Sequence, residues 1–247
     1  MSDDFNDAPP DRPYKPLVMF IDIQRLYAAP PTPDEVTLLE KYSAHIPTDD
    51  EIKRVQDIII GCNQLADYLR GSVKIGWAAM APKTSFLVTQ SVDEFRILLV
   101  SNGHNQLDFY MADPKDGDLM VAKTKNSVMS NPEFMMRLQQ EGYTHIYFAG
   151  FQATECALSG ALKDAVWEMF EEAAHHIQTA IISDLSADTF AGKSTFRPMP
   201  DTQVVQEKML RLGARLVTTH ECLAEIQSNL GRPVKGQSPE PSATPII

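Results

Sequence analysis

Short runs of uninterrupted apolar residues, separated by longer stretches with helical spacing, constrain this chain more than any other feature. The runs are LVMFI (17–21), VKIGWAAMA (73–81), DLMVA (118–122), HIYFAG (145–150), TAIIS (179–183) and ARLVT (214–218). A strand without polar alternation must be covered on both faces, which is the situation of parallel sheets whose crossovers are helices. Helical patterns run over about 51–70, 132–141, 156–173 and 201–212, with a final helix to about 227 and a further segment over 91–101. The fold class these alternations imply is α/β, a three-layer αβα sandwich around a mostly parallel, Rossmann-like sheet of about six strands.

One helix boundary is sharply written. In VMSNPEFMMRLQQEGY, Asn131 can cap, Pro132 falls at the first helical position, Ser130 and Glu133 have capping-box spacing, and Gly142 can close the helix. Residues 1–13, rich in Asp and Pro, and 229–247, rich in Pro, Ser and Gly, have compositions that cannot bury enough surface to offset ordering entropy. They read as disordered tails around one domain over 14–228.

A net charge of −11, with no cluster of Lys and Arg, argues against a nucleic-acid surface. No apolar run reaches the length of a membrane span, and the acidic N-terminus is unlike a signal peptide. Three cysteines, Cys62, Cys156 and Cys222, lack metal or disulfide spacing and fit a reducing compartment, so a cytoplasmic location is expected.

In open parallel sheets, ligands lie beyond the carboxyl ends of the strands, at the switch point of strand order. The reactive side chains that fall there are Asp22 after LVMFI, Lys123 after DLMVA, and Cys156 in the loop or first helical turn after HIYFAG. A carboxylate can take a thiol proton and a lysine can stabilise the thiolate, so the three form a coherent set. Each has a plainer alternative: an Asp capping a turn, a solvated Lys, a cysteine packed as a small hydrophobe. GxGxxG after the first strand, the P-loop and GxSxG are all absent, which removes the motifs of dinucleotide, nucleotide and serine-hydrolase sites. His175 and His176 follow EEAA near a helix end, where polar residues are ordinary, His104 reads as a turn residue, and His45 and His220 have no acidic or cysteine neighbours at ligand spacing.

These residues resemble the isochorismatase-like cysteine hydrolases. The resemblance rests on VMFIDIQ with Asp22, GDLMVAKTKNSVM with Lys123, and GFQATEC with Gly150 and Cys156, and it extends through ISDLSADTF and LGARLVTTHECL. It covers about Pro16 to Ile226 and implies cleavage of a small amide or related C–N bond through an acyl-enzyme. Cys156 would be the nucleophile, Asp22 the base, and Lys123, rather than Lys125, the stabilising cation. It also implies a non-proline cis peptide between Phe151 and Gln152 and an oxyanion hole from the backbone N–H groups of Gln152 and Cys156. Substrate-binding candidates near the strand ends are Tyr27, Trp77, Ser127, Met129, Phe151 and Gln152.

The chain departs from the family pattern in several places. Ala153 stands where a Thr is usual, and the interval from Gly150 to Asp164-Ala165 is one residue longer, which leaves open whether Cys156 or Ala157 holds the reactive position. An Ala there would make a catalytically silent ligand-binding or scaffolding protein. MAPKTSF replaces the Asp-x-His metal segment, so no metal and no cofactor are expected, and Met129 replaces a common aromatic. Partners expected from the resemblance are a small-molecule substrate and further copies of the chain in a dimer or tetramer. The segment 83–116 is expected to form a lid or an oligomer contact.

Overall fold

A computed structural model describes residues 13–81, 86–101, 103, 105–154, 177–190 and 196–231. The predicted helix over 156–173 and nearly all of both predicted tails lie outside these residues. Seven strands form one sheet in the order β3-β4-β2-β1-β5-β6-β7. They are β1 (Pro16–Ile21), β2 (Lys74–Met80), β3 (Val88–Thr89), β4 (Leu119–Lys123), β5 (His145–Phe151), β6 (Gln178–Ala187) and β7 (Leu216–Val217). Every pairing is parallel except the short edge pair β3·β4. The chain travels outward from β1 through β2 to β4 and then returns to place β5 on the other side of β1. The strand order therefore reverses between β1 and β5, and a crevice at their carboxyl ends follows.

The described helices are α1 (Arg25–Ala28), α2 (Pro33–Lys41), α3 (Asp49–Leu69), α4 (Val92–Val100), α5 (Pro132–Glu141), α6 (Thr202–Arg211) and α7 (Thr219–Leu230). Successive side chains of β1 point to opposite faces and both faces are buried. Val18 and Phe20 join a core containing Val55, Ile59 and Leu65 of α3, Phe95 of α4 and Ile226 of α7. Leu17, Met19 and Ile21 join a second core with Phe134 and Leu138 of α5 and Val205 and Met209 of α6. Each such side chain contributes about 1.5–3 kcal/mol through burial, which explains why the strands read as continuous apolar runs.

α5 starts as the sequence predicts: the Asn131 side chain accepts from the N–H groups of Glu133 (2.9 Å) and Phe134 (3.1 Å), and Gly142 ends the helix at φ 70°. The Ser130–Glu133 capping box does not form, because Asn131 is the cap residue and takes the Glu133 N–H, while the Ser130 hydroxyl donates to the Ser127 carbonyl at 2.7 Å. Such boxes do form at Thr32/Glu35 and Thr48/Glu51, starting α2 and α3. α2 was not legible as a packed element because none of its residues is buried.

The segment 83–116, expected to be a lid or contact, is in its described part built into the domain. β3 adds a strand to the sheet edge, Phe95, Leu99 and Phe109 are core residues, and Tyr110 N–H donates to Ile23 O at 3.1 Å.

Candidate active site

β1 delivers Asp22 to the switch point. Its φ of 56° lies in the left-handed region, where Asp is better tolerated than most residues, and its N–H donates to Ala78 O at 2.9 Å. The carboxylate is fully buried. Lys123, the last residue of β4 and also fully buried, crosses over β2 to put Nζ 2.9 Å from Asp22 Oδ2. That contact is an ion pair outside hydrogen-bond geometry, and neither carboxylate oxygen accepts a hydrogen bond among the described residues. The ammonium is held from its other side by Asn126 O (3.1 Å) and Lys125 O (3.4 Å), while the Lys125 side chain is exposed. A buried carboxylate normally accepts several hydrogen bonds, so among the described residues Asp22 departs from the usual pattern.

Gly150 faces Ile21 across the β1·β5 pairing, at the other side of the switch point. Its φ is 113°, and a Cβ there would stand 2.3 Å from Ile21 O, so only glycine lets the two strand ends approach this closely. The resemblance implied a cis peptide between Phe151 and Gln152, but no peptide bond among the described residues is cis. The chain turns instead through positive φ at Gly150 and, at 53°, Gln152. The Gln152 carboxamide donates to Thr189 Oγ1 (3.2 Å) and accepts from Arg197 (3.4 Å), and Thr154 donates twice to the Asp188 carboxylate. Cys156 and Ala157 lie outside the described residues. Cys62 and Cys222 are buried free thiols, and burial pushes the pKa of both well above the ordinary thiol value.

Of the other candidates, Phe151 and Gln152 are buried in the turn itself, and Ser127 and Met129 are buried just beyond β4. The Ser127 hydroxyl caps the short turn that follows by accepting from Met129 N–H at 3.2 Å. Tyr27 is buried in the core on α1. Trp77 is not brought to the Asp22–Lys123 pair: it lies mid-strand, fully buried, and its indole N–H donates to Asp118 at the opposite end of the sheet.

Two polar residues that the sequence left unremarked prove structural. Gln24, fully buried, accepts from Met80 N–H (2.8 Å) and donates to Met80 O (3.0 Å) and Leu107 O, which ties the chain after Asp22 to the end of β2. Asp118 accepts from Arg70 Nε and Nη2, Trp77 Nε1 and the Lys115 N–H. Neither carries a one-residue signal, since apart from the Lys115 N–H their partners lie tens of residues away in sequence. Among the described residues no group of His, Cys, Asp and Glu could hold a metal ion, and no helix is long and apolar enough to cross a membrane.

No protein-family model and no curated protein matches the chain. Solved structures do. A cysteine hydrolase from Pseudomonas syringae pv. phaseolicola aligns over 89% of this chain and 96% of its own, at 14% identity and a TM-score of 0.57. A putative isochorismatase from Burkholderia xenovorans aligns over 90% and 91%, at 14% identity and TM-score 0.55. An isochorismatase-like hydrolase from Alkaliphilus metalliredigens aligns over 87% and 98%, at 14% identity and TM-score 0.52. The chain thus has the α/β fold of the isochorismatase-like hydrolases, a sheet of seven mostly parallel strands flanked by helices.

Proposed function

We propose that this protein is a cysteine hydrolase that cleaves a C–N bond of a small amide, ureide or carbamoyl compound through an acyl-enzyme. The observation that carries the reading is the fully buried Asp22–Lys123 pair at the switch point, whose carboxylate accepts no hydrogen bond among the described residues. A fold shared with structures described as hydrolases supports it. The backbone of Asp22 and Gln152 adds to it, since positive φ at non-glycine positions collects at sites whose geometry is over-determined.

In this mechanism Asp22 takes the proton of the Cys156 thiol, and the sulfur attacks the substrate carbonyl carbon. The N–H groups of Gln152 and Cys156 stabilise the oxyanion of the tetrahedral intermediate. Its collapse breaks the C–N bond, and the leaving nitrogen takes the proton from Asp22. Asp22 then deprotonates a water that attacks the thioester, which releases the acid and returns the proton to sulfur. Lys123, with its donors turned to the Asn126 and Lys125 carbonyls and its charge paired with Asp22, acts on the thiolate through that charge and keeps Asp22 in place. Ser127 and Met129, just beyond Lys123, and Phe151 and Gln152, in the turn after Gly150, are the substrate-contacting candidates. The enzyme works without metal or cofactor, in the cytoplasm, as a dimer or tetramer.

A screen of small amides, ureides and carbamoyl compounds for ammonia release tests the reading. Turnover that disappears in Cys156→Ala and in Asp22→Asn is expected. Release that persists in Cys156→Ala would contradict it.

A further inference from the structure

β5 and β6 pair in two blocks that do not share one register. Phe148 faces Ile181, but Gly150 faces Ser186, so β6 places three more residues between these pairs than β5 does. The surplus forms a bulge that is pinned on several sides. Ser186 Oγ donates to Ile182 O at 2.7 Å, Ser183 Oγ donates to Val217 O at 3.2 Å, and Asp184 accepts from Thr219 N–H at 2.8 Å. Leu185 fills the space that a side chain at Gly61 would occupy. Bulges of this kind re-aim the residues that follow them.

Here the redirected residues are Asp188 and Thr189. Asp188 is 6% exposed. Its Oδ1 accepts from Thr154 N–H at 2.9 Å and its Oδ2 from the Thr154 hydroxyl at 2.5 Å, while Thr189 Oγ1 accepts from the Gln152 carboxamide at 3.2 Å. The end of β6 thus grips the turn in which Gly150 and Gln152 hold positive φ. A backbone in sparsely populated conformations persists only where its surroundings fix it. A carboxylate suits this task because it accepts on both oxygens, whereas an amide would offer Thr154 one acceptor and one donor. Since both oxygens are committed to Thr154, this carboxylate is not a second base beside Asp22.

We infer that Asp188 is a positioning residue: it fixes the Gly150–Thr154 turn and thereby the place of the nucleophile two residues further on. The inference rests on the function proposed above. It is tested in the full chain with Asp188→Ala, Asp188→Asn and Thr154→Val, by amide hydrogen exchange of the peptide containing 150–154 and by iodoacetamide labelling of Cys156 at pH 6. Asp188→Ala should speed exchange at Thr154 and slow Cys156 labelling about tenfold or more, with Cys62 and Cys222 unaffected. Asp188→Asn, which keeps one acceptor, should recover much of the rate, and Thr154→Val should lose less than Asp188→Ala.

A role confined to stability would lower Tm and leave the labelling rate of the folded protein alone, and that result overturns the inference. Unchanged exchange at Thr154 overturns it equally. If Asp188→Ala does not fold, wild-type labelling in both Asp188→Asn and Thr154→Val overturns it. Rapid, Asp22-dependent labelling in the wild type that ignores all three variants refutes Asp188 alone. Slow labelling of the wild type, indifferent to Asp22→Asn, refutes the proposed function and this inference with it.

Discussion

The sheet holds a buried carboxylate paired with a cation at each of its ends, and the two are built in opposite ways. At the amino end of β4, Asp118 accepts from four donors: two Arg70 nitrogens, the Trp77 indole and the Lys115 backbone. At the carboxyl ends, the Asp22 carboxylate has an ammonium 2.9 Å away and accepts no hydrogen bond among the described residues, on a backbone with φ 56°. A satisfied buried ion pair fastens elements together, whereas an unsatisfied one costs stability and keeps capacity for a reacting group. On the function proposed above, this difference in hydrogen bonding, more than burial or charge, separates fastening from chemistry.

The largest effect should come from removing that capacity. Asp22→Asn retains shape but cannot take a proton, and Cys156 alkylation at pH 6 should fall about 10²–10⁴-fold, the usual worth of a general base. Wild-type rates in Asp22→Asn would collapse the contrast between the two ends. Next is Gly150→Ala, which drives a Cβ against Ile21 backbone atoms at a φ of 113°. A loss of about 4 kcal/mol or more in urea unfolding, or failure to fold, is expected.

Asp118→Ala sharpens the comparison, because it should cost about 3 kcal/mol by leaving the Trp77 N–H unpaired and removing the buried partner of Arg70 and yet leave the Cys156 labelling rate of the folded protein unchanged. A change in that rate would mean the amino end takes part in the chemistry. The smallest effect concerns Glu51, a carboxylate at neither end. Burial works to raise its pKa, but hydrogen bonds from the Met199 and Thr48 backbones and the His45 ring outweigh it and hold the carboxyl below its ordinary value. Its contribution is therefore present above the unfolded carboxyl range near pH ~4.3 and is lost as pH falls through the lower folded value. Glu51→Gln should flatten the stability profile below about pH 4.5, measured by urea midpoints across pH.

Much of this architecture could be read from the chain because the core strands are buried on both faces and so are written as apolar runs. β6 continues beyond the predicted end at residue 183 to Ala187, since its bulged part, DLSA, carries Asp184 and Ser186, which bond to α7 and back to Ile182 and break the apolar run. β3 has two residues and α2 buries none, so neither leaves a periodic trace. Asp22 and Lys123 were legible because each stands at the end of an apolar run, and the structure brings them into contact. Asp118, Gln24 and Asp188 were not, because an isolated polar residue says nothing of a partner in another element. Trp77 misled, since an aromatic near a strand end reads alike whether it lines a pocket or seals the core. The choice between Cys156 and Ala157 still rests on spacing from Gly150.

The most direct test of the central claim is the residue-resolved rate of iodoacetamide labelling at pH 6, by mass spectrometry, in the wild type, Asp22→Asn and Lys123→Ala. The account predicts that Cys156 reacts far faster than Cys62 and Cys222, whose thiols burial holds protonated, and that both substitutions slow it. Slow labelling of all three cysteines, unaltered by either substitution, would contradict it.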